Sequence, residues 1–237
     1  MRRRAVFAFA LWPFSLFRPK LKLADISFRM LKRGEDRRRY IWIHGNETSA
    51  RQVLTGHMKR YDGKAYVIEN DERNVNFSGG KLDPNRMFSR VGAERNLRLL
   101  NPAWSQAQLE FALAKLDNHR EGFLSRLLPP GGKLLVALHN NGPSYSVNDE
   151  IADSDSAALN DESHPDEFLL CTDSQDFQSL ARGPYNVLLQ NRAPKYDDGS
   201  LSRLCAARGV RYVNIEAAAG GNARQQAILE WLEKTLS

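Results

Sequence analysis

The sequence has few cysteines and no long hydrophobic run. Its 237 residues include only Cys171 and Cys205, and neither belongs to a Cys-x-x-Cys pair, so a thiolate metal site is not expected. The apolar run Ala5–Phe17 is interrupted by Pro13 and Ser15 and is too short to span a membrane. We therefore expect neither a cysteine-bound metal nor a stable membrane span.

The basic charge is concentrated at one end of the chain. The formal net charge is +6, but residues 1–40 carry +9 and the remainder carries −3. A nucleic-acid footprint needs basic residues clustered on a folded face, and the body of this chain is mildly acidic. We expect no nucleic-acid partner. A nucleic-acid-binding role is suggested only by the basic N-terminus, and it would require nucleic-acid affinity that persists after residues 1–39 are removed.

The first residues have the charge pattern of an export signal. Arg2–Arg4 precede the apolar run, as at the start of a signal peptide, although no small-x-small cleavage site follows. A buried N-terminal strand or loop is the alternative. We predict a signal peptide or N-terminal extension at 1–22 and a hydrolase-like α/β domain at 23–237. The corresponding location is periplasmic or secreted, with the cytoplasm as the alternative.

Strand and helix patterns alternate along the rest of the chain. A hydrophobic content of 42% at this length allows one full core, so a single α/β domain is predicted. Predicted strands lie at 26–30, 40–43, 65–69, 133–138, 168–171, 186–190 and 210–215, and predicted helices at 47–61, 89–99, 105–128, 200–207 and 223–236. This order predicts a mixed, twisted sheet with helices on both faces.

One stretch, 148–167, is acidic and polar. It is predicted to be a solvated surface insertion. Calcium binding is the alternative, although the regular spacing of a calcium loop is missing. We expect the residues that shape a specificity pocket to lie in the loops 140–167 and 191–200.

Three predicted strands end at polar residues, namely His44, His139 and Glu216. In α/β sheets, ligands collect at the carboxyl ends of strands. Glu47, three residues after His44, adds a second carboxylate. Two imidazoles and a carboxylate can hold a catalytic zinc with one position open, and the other carboxylate can take a proton from water. The alternative is that each residue is an ordinary polar group at a strand end.

The order of four short motifs resembles that of the zinc carboxypeptidases. The motifs are His44-Gly-Asn-Glu47, Asp83-Pro-Asn-Arg86, Leu138-His139-Asn140 and Ile215-Glu216. The resemblance is closest to the succinylglutamate desuccinylase and aspartoacylase branch, and it covers residues 40–220.

This resemblance assigns roles to the metal-binding and catalytic candidates. It implies that one zinc ion per chain is held by His44, Glu47 and His139. Glu216 would be the general base and later the proton donor to the leaving amine. Arg73 would be the residue that polarises the scissile carbonyl.

The resemblance also implies that Asn85, Arg86 and Asn140 bind the substrate. A guanidinium can grip a carboxylate through two hydrogen bonds, so Arg86 beside Asn85 suits a substrate with a free acid group. The alternative is that Arg86 and Arg73 are surface or salt-bridged arginines. The expected function is a zinc-dependent hydrolase, of metallocarboxypeptidase or N-acyl amino acid deacylase type, that acts on a small peptide or N-acyl amino acid. The alternative is a catalytically inactive metal- or peptide-binding module of the same fold.

Overall fold

The chain folds around one large β-sheet. The structure is a computed structural model that describes residues 20–142, 144–192 and 196–236. Its strands are β1 (Lys20–Leu23), β2 (Ile26–Arg33), β3 (Arg39–Trp42), β4 (Gly63–Ile68), β5 (Val75–Phe77), β6 (Gly80–Leu82), β7 (Leu135–Asn141), β8 (Ser156–Ala158), β9 (Phe168–Cys171), β10 (Asn186–Leu189) and β11 (Tyr212–Ala218). Its α-helices are α1 (Thr48–His57), α2 (Arg90–Leu100), α3 (Gln106–Leu127), α4 (Val147–Ile151), α5 (Ser174–Leu180), α6 (Leu201–Arg208) and α7 (Asn222–Thr235).

The sheet is mixed, with parallel strands at its centre. Among the described residues its order is β1-β2-β4-β3-β7-β11-β9-β10-β8. The central strands β4, β3, β7 and β11 are mutually parallel, whereas β2, β9 and β8 each pair antiparallel with an inner neighbour. The carboxyl ends of the central strands therefore share one edge.

Helices cover both faces of this sheet. The crossover from β3 through α1 leads to β4, on one side of β3 in the sheet. The crossover from β4 through α2 and α3 runs in the opposite direction, past β3 to β7. Because crossovers between parallel strands are right-handed, α1 and the α2–α3 pair lie on opposite faces. Helix α7 contacts both α1 and α5. The predicted fold class, a single α/β domain with a mixed sheet and helices on both faces, is confirmed.

Local sequence signals explain where several helices begin and end. The hydroxyl of Ser89 accepts a hydrogen bond from Gly92 N at the start of α2, and Ser105 and Gln108 form a capping box at the start of α3. Helix α6 ends at Gly209, which has a φ of 60°, a left-handed conformation that glycine adopts at little cost. These caps agree with the helix boundaries predicted from the sequence.

Two central strands are longer than predicted. Strand β7 extends to Asn141 and β11 to Ala218, so His139 and Glu216 lie inside their strands rather than just after them. The sequence pattern missed these extensions because polar residues interrupt the apolar runs, while backbone pairing between β7 and β11 continues through them. The segment between β4 and Asp83, in which no strand was predicted, contains the β5–β6 hairpin.

The acidic stretch lies at the surface, as predicted, since none of residues 148–166 is buried, but it also has regular structure. It contains α4 and β8, and β8 extends the sheet by pairing with β10. Val147 is buried against Phe168 and Leu170, and Ile151 packs on the same cluster. The apolar residues of α4 are too few and too closely spaced to show a periodic pattern in the sequence.

The N-terminal prediction falls mainly outside the described residues. Residues 1–19 are not described, and Lys20 already begins β1. The signal peptide and the periplasmic or secreted location therefore stay predictions. Within the described ranges, no helix has the length and apolar character needed to cross a membrane.

Candidate metal centre

Three buried side chains that can hold a metal ion converge at the carboxyl edge of the sheet. Ligand atoms of His44, Glu47 and His139 all lie within 4.8 Å of one another. His44 Nδ1 is 2.7 Å from Glu47 Oε1, and His139 Nδ1 is 3.1 Å from Glu47 Oε2. The parallel pairing of β3 with β7 brings the two imidazoles together, and the turn into α1 supplies the carboxylate.

The turn after β3 requires a glycine. A Cβ on Gly45 would lie 2.2 Å from the carbonyl oxygen of Asn70, so no larger residue fits without moving the backbone. Gly45 N also donates to the carbonyl of Glu72, and Trp42 Nε1 donates to the carbonyl of Glu47. These contacts fix the direction in which the Glu47 side chain leaves the turn.

Opposite charges offset the cost of burying these groups. Burial alone would raise the pKa of Glu47, but the charge and hydrogen bond of His139 and the hydrogen bond of His44 lower it to about 2. Burial would lower the pKa of His139, but the charge and hydrogen bond of Glu47, followed by the charge of Glu216, raise it to about 8. The carboxylate of Glu47 is therefore ionised at neutral pH, and its charge is paired with the imidazole of His139.

Asp83 orients one of these imidazoles. Its Oδ1 is 2.8 Å from His44 Nε2. Although burial would raise the pKa of Asp83, hydrogen bonding to His44 and the charge of His44 lower it, so the carboxylate is ionised and can only accept. A neutral imidazole that donates from Nε2 to Asp83 has an unprotonated Nδ1, which is the nitrogen that a metal ion can bind. The sequence marked Asp83 only as the first residue of a motif and missed this role.

We expect Asp83→Ala to weaken zinc binding by about 10–100-fold, because the imidazole loses the partner that fixes its tautomer. Competition with a chromophoric chelator measures the change. Asp83→Asn is the matched control, since its amide oxygen can still accept from His44. Equal zinc affinity in the alanine variant and the wild type would contradict the orienting role.

Glu216 lies beside the three candidate ligands. It pairs in register with His139 across the parallel strands β11 and β7, so both side chains point to the same face of the sheet. Glu216 Oε1 accepts a hydrogen bond of 2.8 Å from Asn214 Nδ2. Burial raises the pKa of Glu216, and the positive charge of His139 opposes this shift. A carboxylate with a raised pKa is suited to accept and return a proton near neutral pH.

Comparisons with known proteins give structural neighbours only. No protein-family profile and no curated protein sequence matches the chain. It is similar to a succinylglutamate desuccinylase/aspartoacylase from Rhodobacter sphaeroides, with 17% identity and a TM-score of 0.45 over 89% of this chain and 59% of that one. It is also similar to a protein from Shewanella baltica named only provisionally as a metallopeptidase, with 12% identity and a TM-score of 0.44 over 92% and 86% of the two chains.

A third neighbour is an aspartoacylase family protein from Mesorhizobium loti, with 15% identity and a TM-score of 0.37 over 86% of this chain and 55% of that one. The chain spans little more than half the length of the two proteins named for aspartoacylase.

Arg73 reaches the same centre from the solvent side. Its Nη1 and Nη2 donate, each at 3.4 Å, to Glu47 Oε1 and Asp83 Oδ2. The side chain is 49% exposed, so part of the guanidinium is accessible from solvent. Its predicted role, polarisation of a scissile carbonyl, stays a prediction.

The two predicted carboxylate binders lie in a short 3₁₀ helix, Pro84–Arg86, directly after Asp83. Asn85 Oδ1 accepts a hydrogen bond from Leu201 N, and the Arg86 guanidinium is paired with Asp198 at 3.2 Å. Both side chains therefore already contact the segment that begins α6. Their substrate-binding role stays a prediction.

The side chain of Asn140 points away from His139, because neighbouring residues alternate across a strand. Its Oδ1 accepts from Ala50 N at 2.8 Å, and its Nδ2 donates to Ala217 O and Gln225 Oε1. In the structure this amide joins α1, β11 and α7. Substrate binding by Asn140 stays a prediction, and the structure gives its side chain protein partners instead.

Tyr145 lies near the candidate site, and the sequence did not single it out. Its ring packs on Phe168, which pairs in register with Glu216, and its hydroxyl donates to Glu150 at 2.7 Å. Burial raises the pKa of Tyr145, followed by the negative charges of Glu216 and Glu150, while Arg86 lowers it. The phenol is therefore protonated and lies near Glu216 and Arg86. The only sequence signal was its position in the loop 140–167.

A separate groove of about 640 Å³ lies at the opposite edge of the sheet. Its lining includes Arg38, Asp62, Leu134 and Arg211, each placed just before a central parallel strand. The candidate metal ligands and Glu216 lie at the other ends of those strands. Since Arg38 is paired with Glu233, and Arg211 and Asp62 also have ion-pair partners, we assign no role to this groove.

Proposed function

We propose that the protein is a zinc-dependent hydrolase that cleaves an amide bond next to a free carboxylate. The observation that carries the proposal is the convergence of His44, Glu47 and His139, with Glu216 held beside them on the neighbouring strand. Glu216 is not one of the three converging residues, so its carboxylate is available for proton transfer.

The donor set fits zinc. Two imidazole nitrogens and one carboxylate oxygen are a common catalytic zinc set, and they leave one position open. Asp83 holds the tautomer of His44 that coordination needs. When bound, zinc supplies a Lewis acid that lowers the pKa of a water molecule and polarises a carbonyl group.

The protein's own residues would perform the remaining steps. Glu216 Oε2, whose neighbour Oε1 is held by Asn214, takes the proton of the attacking water and later donates it to the leaving amine nitrogen. Arg73 stabilises the negative charge that develops on the carbonyl oxygen. Arg86 and Asn85 orient the substrate through its free carboxylate.

The proposed substrates are small peptides or N-acyl amino acids. Cleavage of a peptide would make the protein a metallocarboxypeptidase, and cleavage of an acyl group would make it a deacylase. An exported protein would suit peptides, whereas a cytoplasmic one would suit N-acyl amino acids.

The test compares matched substrates that differ only in the carboxylate. We expect zinc-loaded protein to hydrolyse N-acyl amino acids or dipeptides and zinc-stripped protein to be inactive. Arg86→Ala should raise KM for the free acid by about 10–100-fold, because a charged hydrogen bond is lost. The matched carboxamide should be affected little.

Arg90→Ala is the control for this experiment, because Arg90 is a partly exposed arginine paired with Glu110 on the surface. Its KM should equal that of the wild type. An equal loss on acid and carboxamide in Arg86→Ala would contradict the carboxylate clamp, and activity that is independent of zinc would contradict the proposed function.

A further inference from the structure

We propose that Asp198 is a positioning residue that holds the guanidinium of Arg86 in place for a substrate carboxylate. The inference rests on the proposed function, since it assigns Arg86 to carboxylate recognition. If Asp198 has this role, the turn 197–201 belongs to the site that recognises the substrate carboxylate, although it is distant in sequence from the candidate metal ligands.

The two oxygens of Asp198 have separate partners. Oδ1 accepts a hydrogen bond of 2.9 Å from Ser200 N and so closes the turn before α6. Oδ2 is 3.2 Å from Nη1 of Arg86. One carboxylate therefore shapes its own turn and contacts the arginine at the same time.

The contact holds only one side of the guanidinium. Nη1 of Arg86 also donates to the carbonyl of Asn85 at 3.0 Å. Nε and Nη2 make no hydrogen bond to another residue in the part of the chain that the structure describes, and the side chain is 32% exposed. The arginine is thus contacted through one nitrogen, and its other donors are left for a ligand, as bidentate carboxylate binding requires.

The backbone around Asp198 is docked on the same motif. Gly199 has a φ of 79°, and a Cβ there would lie 2.5 Å from the carbonyl oxygen of Arg86. Gly199 O accepts from Phe88 N, and Leu201 N donates to the side chain of Asn85. This close approach and these two hydrogen bonds show that the pairing of Asp198 with Arg86 is part of a larger packed contact between the turn 197–201 and the segment 85–88.

Such anchoring affects binding through entropy and geometry. A free arginine side chain has many rotamers, and a ligand that immobilises it must offset the lost freedom. Asp198 removes that cost before the substrate arrives. Because its charge partly balances that of Arg86, the subsite depends on the geometry of the donors as well as on net charge.

The experiment is a binding measurement that does not depend on turnover. Calorimetry on zinc-loaded Glu216→Gln protein compares N-acetyl amino acids with the corresponding carboxamides. In Asp198→Asn the amide oxygen can still accept the hydrogen bond from Ser200 N. The amide NH₂ group then faces Arg86, and since both groups are donors the contact is lost. We expect the Kd for the acids to rise by roughly 3–10-fold and the Kd for the carboxamides to stay constant.

Two further variants isolate the effect. In an Arg86→Ala background, Asp198→Asn should cause no additional loss, because the residue through which it acts is absent. Asp197→Asn is the matched control in the same turn, since Asp197 Oδ1 accepts from Gly199 N and the ion pair of Arg86 is with Asp198 instead. This control should bind the acids as the parent protein does.

The outcomes separate this inference from the proposed function. Unchanged acid binding in Asp198→Asn would reduce Asp198 to a turn residue and overturn the inference. Tighter binding of acids by Asp198→Asn would mean that Asp198 competes with the substrate for Arg86, and it would also overturn the inference. A parent protein that binds acids no better than carboxamides would overturn the inference too. A wild type that binds acids with the expected Asp198 effect but hydrolyses nothing would reject the proposed function and leave the positioning role supported.

Discussion

Glu216→Gln is expected to lower kcat by about 10²–10⁴-fold while the protein keeps its zinc. Glutamine has nearly the same shape, and its amide oxygen can still accept the hydrogen bond from Asn214. It cannot take a proton from water at neutral pH. Because Glu216 is not one of the three converging residues, metal binding should be unaffected.

The measurement combines steady-state kinetics with elemental analysis of the same preparation. Glu121→Gln, a surface carboxylate paired with Arg208, is the matched control and should retain full activity. Unchanged kcat in Glu216→Gln would place proton transfer on another group. A wild type that binds zinc and ligand but shows no turnover would favour the inactive binding module.

His139→Ala is expected to remove tightly bound zinc. We expect about one zinc ion per wild-type chain and almost none in the variant after dialysis, because two protein ligands seldom retain a catalytic zinc. The same result is expected for His44→Ala. His119→Ala is the control, since this exposed imidazole lies on α3 and bonds to the carbonyl of Lys115.

The alanine variant at position 139 also changes the environment of Glu47, whose low pKa depends on His139. Thermal unfolding should therefore accompany the zinc analysis, so that loss of metal is not confused with loss of fold. Full zinc retention by folded His139→Ala and His44→Ala proteins would refute the site.

The sequence predicted the features that depend on neighbouring residues. Apolar runs marked β3, β7 and β11 as strands, and the order of those strands in an α/β pattern indicated that His44, His139 and Glu216 would meet at one edge. The contacts agree with that prediction because parallel pairing of the three strands brings their carboxyl ends together.

Contacts between distant segments could not be predicted in this way. Asp83 and His44 are 39 positions apart, and Asp198 is more than a hundred positions from Arg86. Neither pairing leaves a periodic pattern, since each depends on how loops pack against the completed sheet. The short strands β5, β6 and β8 were missed for a related reason, because three residues are too few to show alternation.

The position of the acidic stretch has an evolutionary consequence. His139 lies on the central strand β7, and His44 and Glu47 lie in the turn between β3 and α1, whereas α4, β8 and Tyr145 are attached to the outer strands β9 and β10. Mutations in the outer part can change the residues around Tyr145 without moving the inner residues. Selection can therefore alter the outer part of the fold while the candidate metal centre is inherited intact.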